Sequence, residues 1–165
     1  MTPFERALEF VLAREGGYSN DPFDPGGETR YGICKKQYPD LDIKNLTIAT
    51  AGAIYRRDYW EPNWCDQMPF WAGLAVFDTS VNMGRNSAVV CLQKTARMQE
   101  NGKLSSELIR VIKHLEPQDG LADYLSYRLV RYANLAGWQR YGRGWSRRVA
   151  LLAMEAFDER SSAVV

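Results

Sequence analysis

A glutamate, an aspartate and a threonine stand close together near the start of this 165-residue chain, in the string EGGYSNDPFDPGGETRYGI from Glu15 to Ile33. Asp24 follows Glu15 by nine residues, and Thr29 follows Asp24 by five. Two carboxyl groups facing each other across a cleft suit acid-catalysed bond cleavage. One stays protonated and gives its proton to a leaving oxygen; the other, ionised, activates water or attacks directly. A threonine hydroxyl nearby can orient that water. Gly16-Gly17, Gly26-Gly27 and Gly32 let the backbone fold back and adopt positive φ, so the loop can set Asp24 and Thr29 opposite Glu15. Each residue also has a plainer role open to it. Glu15 can turn to solvent at a frayed helix end, Asp24 can close an Asx turn before Pro25, and Thr29 can be an ordinary strand or turn residue.

The element that must place Glu15 is an N-terminal helix. Thr2 can cap it, Pro3 fits the first helical position, and Glu5 completes a capping box. Phe4, Ala7, Leu8 and Val11 recur at the spacing of one helical face, and Gly16-Gly17 ends the helix. Continued by one turn, that apolar stripe reaches Glu15. Burial on the stripe and the negative end of the helix dipole both disfavour a carboxylate, which predicts a raised pKa for Glu15, as a proton donor requires.

Residues 16–45 are rich in Gly, Pro, Asp and Asn and predict a long structured loop, with room for a small β-hairpin. Helical patterns then follow near 47–60, 70–83, 86–98, 105–115, 118–136 and 145–159, with Gly137, Gly142 and Gly144 expected to break the chain before the last. The expected fold is mainly α, with a long early loop or small hairpin. The best boundary lies around Glu100 to Lys103. It separates a region 1–98 holding the reactive residues from a helical segment 99–165 packed on it, the two also forming one continuous domain if the packing is close.

Composition narrows the partners. A net charge of +1 gives no overall field toward nucleic acid or membrane, and no stretch reaches membrane-spanning length. Patches such as Arg56-Arg57 or Arg140, Arg143, Arg147 and Arg148 match no nucleic-acid motif. Cys34, Cys65 and Cys91 are odd in number and widely spaced, and His114 is the sole histidine. That argues against a zinc site or disulfide framework and for free thiols in a reducing compartment. The acidic loop does not meet the calcium-loop spacing. No metal and no cofactor are expected. The start has no signal-peptide pattern, so synthesis in the cytoplasm is expected, with delivery by some other factor.

Here the residues reach a family. The Glu15–Ile33 string resembles the EGGY signature of glycoside hydrolase family 108, phage-type N-acetylmuramidases of the lysozyme-like superfamily. It keeps the Glu, both glycine pairs, the aromatic, the Asp, the Thr and the terminal Gly-Ile. The Glu–Asp–Thr order is also similar to the catalytic triad of other phage-type lysozymes. The resemblance implies a lysozyme-like helical fold and a peptidoglycan substrate, with Glu15 as the acid and Asp24 and Thr29 as its catalytic partners. Phe77-Asp78 and Val81-Asn82-Met83-Gly84 resemble a later stretch of the family. Asp78 and Asn82, four apart, share a helical face and would line the sugar cleft, unless they are a surface pair and a helix cap. Tyr18 and Tyr31 would stack on sugar rings, although most aromatics at helical spacing are core. Leu92-Gln93, Asn101-Gly102 and GRGWSRRV at 142–149 resemble a peptidoglycan-binding segment fused to this family. NGKLSSEL stands where typical members have Asp-Gly and Gly-Pro-x-Thr, and a helical brace is the other role for this half.

The expectation is therefore a muramidase of phage or prophage type, a monomer acting at the cell wall after release by a membrane-permeabilising partner or by export. A lytic transglycosylase needs only one Glu and is the nearest enzymatic alternative. A non-catalytic wall-binding or secretion-accessory protein on the same scaffold is the alternative from another class.

Overall fold

The computed structural model describes residues 1–21 and 26–158. Its described residues form seven α-helices and one two-stranded antiparallel hairpin, the mainly helical architecture expected. The chain divides into two compact units that part between Asp58 and Tyr59.

The first unit opens with α1 (Pro3–Leu12). The capping box is formed: the Glu5 amide donates to the Thr2 hydroxyl at 3.2 Å, and the Thr2 amide donates to the Glu5 carboxylate at 2.8 Å. Phe4, Ala7, Phe10 and Val11 are buried, so the apolar stripe is the inward face. The long loop holds β1 (Thr29–Arg30) and β2 (Ile33–Cys34), paired with Thr29 opposite Cys34 and Arg30 opposite Ile33. Thr47 caps α2 (Ile48–Tyr55), which runs into a π-helical turn, Arg56–Trp60. The sequence pattern therefore joined α2 and the π turn as one helix.

The second unit is built on α3 (Phe70–Met83). Every residue from Trp71 to Ser80 is buried, as expected of a helix apolar on all sides. Gly84, at φ +84°, ends it, and α4 (Arg85–Thr95) follows. Amphipathic α5 (Ser106–Lys113) buries Leu108, Ile109 and Ile112; α6 (Pro117–Ala133) and α7 (Trp138–Ala156) complete the unit. Helices α4, α6 and α7 all pack on α3. The expected 98/99 boundary lies inside this unit. There the buried side chain of Gln93 pins the Asn101–Lys103 turn. Its Oε1 accepts from the Asn101 and Gly102 amides at 3.0 Å each, and its Nε2 donates to Asn101 Oδ1 at 2.7 Å and to the Lys103 carbonyl at 2.9 Å. No helix among the described residues is long and apolar enough to cross a membrane.

Helix α7 starts seven residues earlier than the glycines suggested and runs through two of them. Tertiary packing outweighs the glycine penalty of about 1 kcal/mol each. Trp145 stacks on buried Tyr132 with ring centroids 4.9 Å apart. Gly142 lies under the Trp138 indole, where an added Cβ would meet the ring at 2.8 Å, whereas a Cβ at Gly144 would meet nothing within 4 Å. Gly144→Ala is therefore expected to stabilise the protein by about 0.5–1 kcal/mol, and Gly142→Ala to destabilise it. Urea unfolding of the two variants checks both signs.

Candidate active site

The residues around Glu15 fall within the first unit. Helix α1 ends at Leu12, but its backbone keeps turning: the Glu15 amide donates to the Val11 carbonyl at 3.1 Å. Glu15 lies just beyond the helix and is half-buried. The stripe extrapolation therefore placed it in a deeper setting than the one it occupies, because the chain leaves the helix before a further buried turn is completed.

From Glu15 the chain runs extended beside β1. The Tyr31 amide donates to the Gly16 carbonyl at 3.1 Å, and Ser19 and Thr29 exchange both backbone bonds at 2.8 and 2.9 Å. The described residues on either side of this loop thus pair as a small ribbon. β1 and β2 are joined by Tyr31 and Gly32, at φ +52° and +72°. Two consecutive positive φ values are the form of turn that suits a tight hairpin.

Gly32 is required there for a second reason. A Cβ added at this position would meet the Tyr55 hydroxyl oxygen at 2.7 Å and Glu15 Oε2 at 2.8 Å. The carboxylate of Glu15 therefore lies directly against the turn. Tyr55, buried at the end of α2, donates its hydroxyl to the Tyr31 carbonyl at 2.8 Å and ties the turn to the helix. Glu15 is positioned by three pieces: the turning end of α1, the glycine of the hairpin and the tyrosine of α2. Gly32→Ala is expected to lose about 1–2 kcal/mol of stability from its left-handed backbone alone. Displacing the carboxylate should also cost about 100-fold in activity, measured as initial clearing rate beside the unfolding midpoint.

The other expected residues are placed as follows. Asp24 lies outside the described residues. Thr29 is half-buried on β1, and its hydroxyl donates to the Gly27 carbonyl at 3.2 Å. The oxygen of that hydroxyl can still accept from a water. Tyr18 is exposed and donates to Glu28 Oε1 at 2.7 Å. That hydrogen bond, with a smaller effect of desolvation, raises the pKa of the Tyr18 phenol. Tyr31 is half-buried at the turn, with Arg30 lying 5.2 Å from its ring centroid.

Asp78 requires a correction. It belongs to the second unit and is completely buried. Arg128 Nη1 donates to one of its oxygens at 2.6 Å, and Arg148 donates to the other from Nε at 2.9 Å. Both oxygens are occupied by arginines, so Asp78 offers none to a sugar; it is the centre of a structural ion network. Asn82, one turn on, is exposed, and its Oδ1 accepts from the Tyr132 hydroxyl, which also accepts from Arg128 Nη2 at 2.9 Å. The helical face shared by Asp78 and Asn82 is real, but its aspartate is turned to the core. Tyr55, Arg128 and Arg148 were missed as partners, since nothing local in the sequence pairs residues 24 to 70 positions apart. Among the described residues no group of three or more His, Cys, Asp or Glu side chains could hold a metal ion.

This arrangement can be set beside known proteins. Residues 8–84 match the family model Glycosyl hydrolase 108. Brucella abortus SagA has a similar solved structure, with a TM-score of 0.83 and 28% sequence identity over 98% of each chain. No curated protein sequence matches the chain. The fold is lysozyme-like, and the matched segment includes Glu15, Gly32 and Tyr55. The likeness to glycosyl hydrolase family 108 covers residues 8–84, just under half of the chain.

Proposed function

We propose that this protein hydrolyses bacterial peptidoglycan at the β-1,4 bond between N-acetylmuramic acid and N-acetylglucosamine, with Glu15 as the general acid. The observation that carries this reading is the seat of the Glu15 carboxylate against Gly32, where the absence of a side chain lets the carboxylate pack directly onto the hairpin turn. Glu15 would protonate the leaving glycosidic oxygen. Asp24, or a water accepted by Thr29, would complete the displacement, and the separation of the two carboxyl groups would set inversion or retention. Tyr18 and Tyr31, on the same ribbon, would stack on neighbouring sugar rings. The protein would act as a monomer at the wall, reaching it after export or after a membrane-permeabilising partner opens the way, as in a phage endolysin.

The test is digestion of purified peptidoglycan followed by borohydride reduction and mass spectrometry. Reduced muramic acid ends are expected. Anhydro-muramoyl ends would assign a lytic transglycosylase instead. Wall binding with no new ends of any kind would assign a non-catalytic protein on this scaffold.

A further inference from the structure

Four arginines and a single acid, Glu155, lie on α7, in a chain whose net charge is only +1. Positive charge is therefore concentrated on this helix. Arg148 is taken up by Asp78 at 2.9 Å. Arg140, Arg143 and Arg147 are exposed, and none has an ion-pair partner among the described residues. Arg140 only rests near Tyr141, 5.3 Å from its ring centroid.

These three arginines recur at steps of three and four, so they form one stripe along the helix. Ala150, Met154 and Phe157 continue the stripe at the same steps, with Met154 71% and Phe157 45% exposed. Gly142, Val149, Leu152 and Ala156 lie on the opposite, buried face, so this stripe is the solvent face of the helix. The guanidinium row spans about 10 Å and the apolar end extends it by a similar length.

A row of guanidinium groups suits phosphate, which each can grip with paired N–H bonds. A polyanion would satisfy the arginines but leave Met154 and Phe157 in water. An apolar protein groove would cover those two and leave the arginines unpaired. A bilayer with anionic headgroups matches both, with phosphates for the basic stretch and acyl boundary for the apolar end. We propose that the exposed stripe of α7 is a docking surface for an anionic lipid bilayer, on which the protein lies peripherally. This surface is independent of the chemistry at Glu15.

The full chain is sedimented with sucrose-loaded vesicles, of phosphatidylcholine alone or mixed with phosphatidylglycerol. Partition to the mixed vesicles is expected to exceed that to neutral ones and to fall with added salt. The triple variant Arg140→Gln, Arg143→Gln, Arg147→Gln should lose about 100-fold in partition, and Met154→Ser with Phe157→Ser about 10-fold. Lys113→Gln, an exposed cation on α5, should bind like wild type. Circular dichroism verifies folding. Should the triple variant fail to fold, the serine variant and the salt dependence decide. The proposal is overturned by equal partition to both vesicle types, by serine and arginine variants that bind as wild type, or by binding of duplex DNA without binding of vesicles. No wall substrate enters this assay, so its failure and failure of the cleavage reading are separate results.

Discussion

Replacing Glu15 with glutamine is expected to slow wall clearing by about 10²–10⁴-fold while leaving the unfolding midpoint close to that of wild type. The substitution keeps the shape of the side chain, and the turn that seats it is held by other groups. The Tyr31 amide bonds the Gly16 carbonyl at 3.1 Å, and Tyr55 holds the Tyr31 carbonyl at 2.8 Å. What the carboxamide lacks is a proton to give to the leaving oxygen. Turbidity clearing and a thermal melt on the same preparation separate chemistry from folding. Clearing at the wild-type rate by a folded Glu15→Gln protein would remove Glu15 from the role of acid. A parallel Gly32→Ala variant sharpens the reading, because it should lose both rate and stability where Glu15→Gln loses only rate.

The largest effect on stability is expected at Asp78. Burial works to raise the pKa of this carboxyl, but Arg128 and Arg148 outweigh it and hold the pKa below its ordinary value. Asp78→Asn leaves the fully buried Arg128 without its counter-charge, which costs about 3–5 kcal/mol, or about 10 °C in a chain of this size. The pH dependence has a definite sign. A carboxylate with a depressed folded pKa contributes its stability in full above the unfolded pKa, about 3.9. That contribution is lost as pH falls through the folded value. Melts of wild type should therefore decline below pH about 4, and this component of the decline should be missing in Asp78→Asn. A midpoint shift of less than about 2 °C would show that the ion network does not hold the second unit together.

These two sites mark what a linear reading can and cannot reach. Around Glu15 the controlling signals are local. The capping residues Thr2 and Glu5, the paired glycines and the Thr29–Tyr31 segment lie within a few tens of residues, and their spacing fixes where the helix starts and where the ribbon turns. Even there, the depth of Glu15 depended on where the helix lets go, which periodicity alone does not specify. Asp78 shows the opposite case. Its helical face is legible from the sequence, but its partners lie 50 and 70 residues away, and without them an aspartate on an apolar helix looks like a binding residue. The glycines of α7 fail for the same reason. Local propensity treats Gly142 as a breaker, whereas the indole of Trp138 lying over it makes a side chain there unwelcome.

The pinned turn after α4 bears on how the gene can be cut. The stretch between α4 and α5 has no regular secondary structure and would ordinarily invite protease nicking or truncation. Gln93 closes it with four hydrogen bonds, and the ten-residue buried run of α3 takes its cover from α6 and α7 beyond it. A fragment ending at residue 98 would expose that run to water. It would be recovered as an aggregate, even though it keeps Glu15, Gly32 and Tyr55.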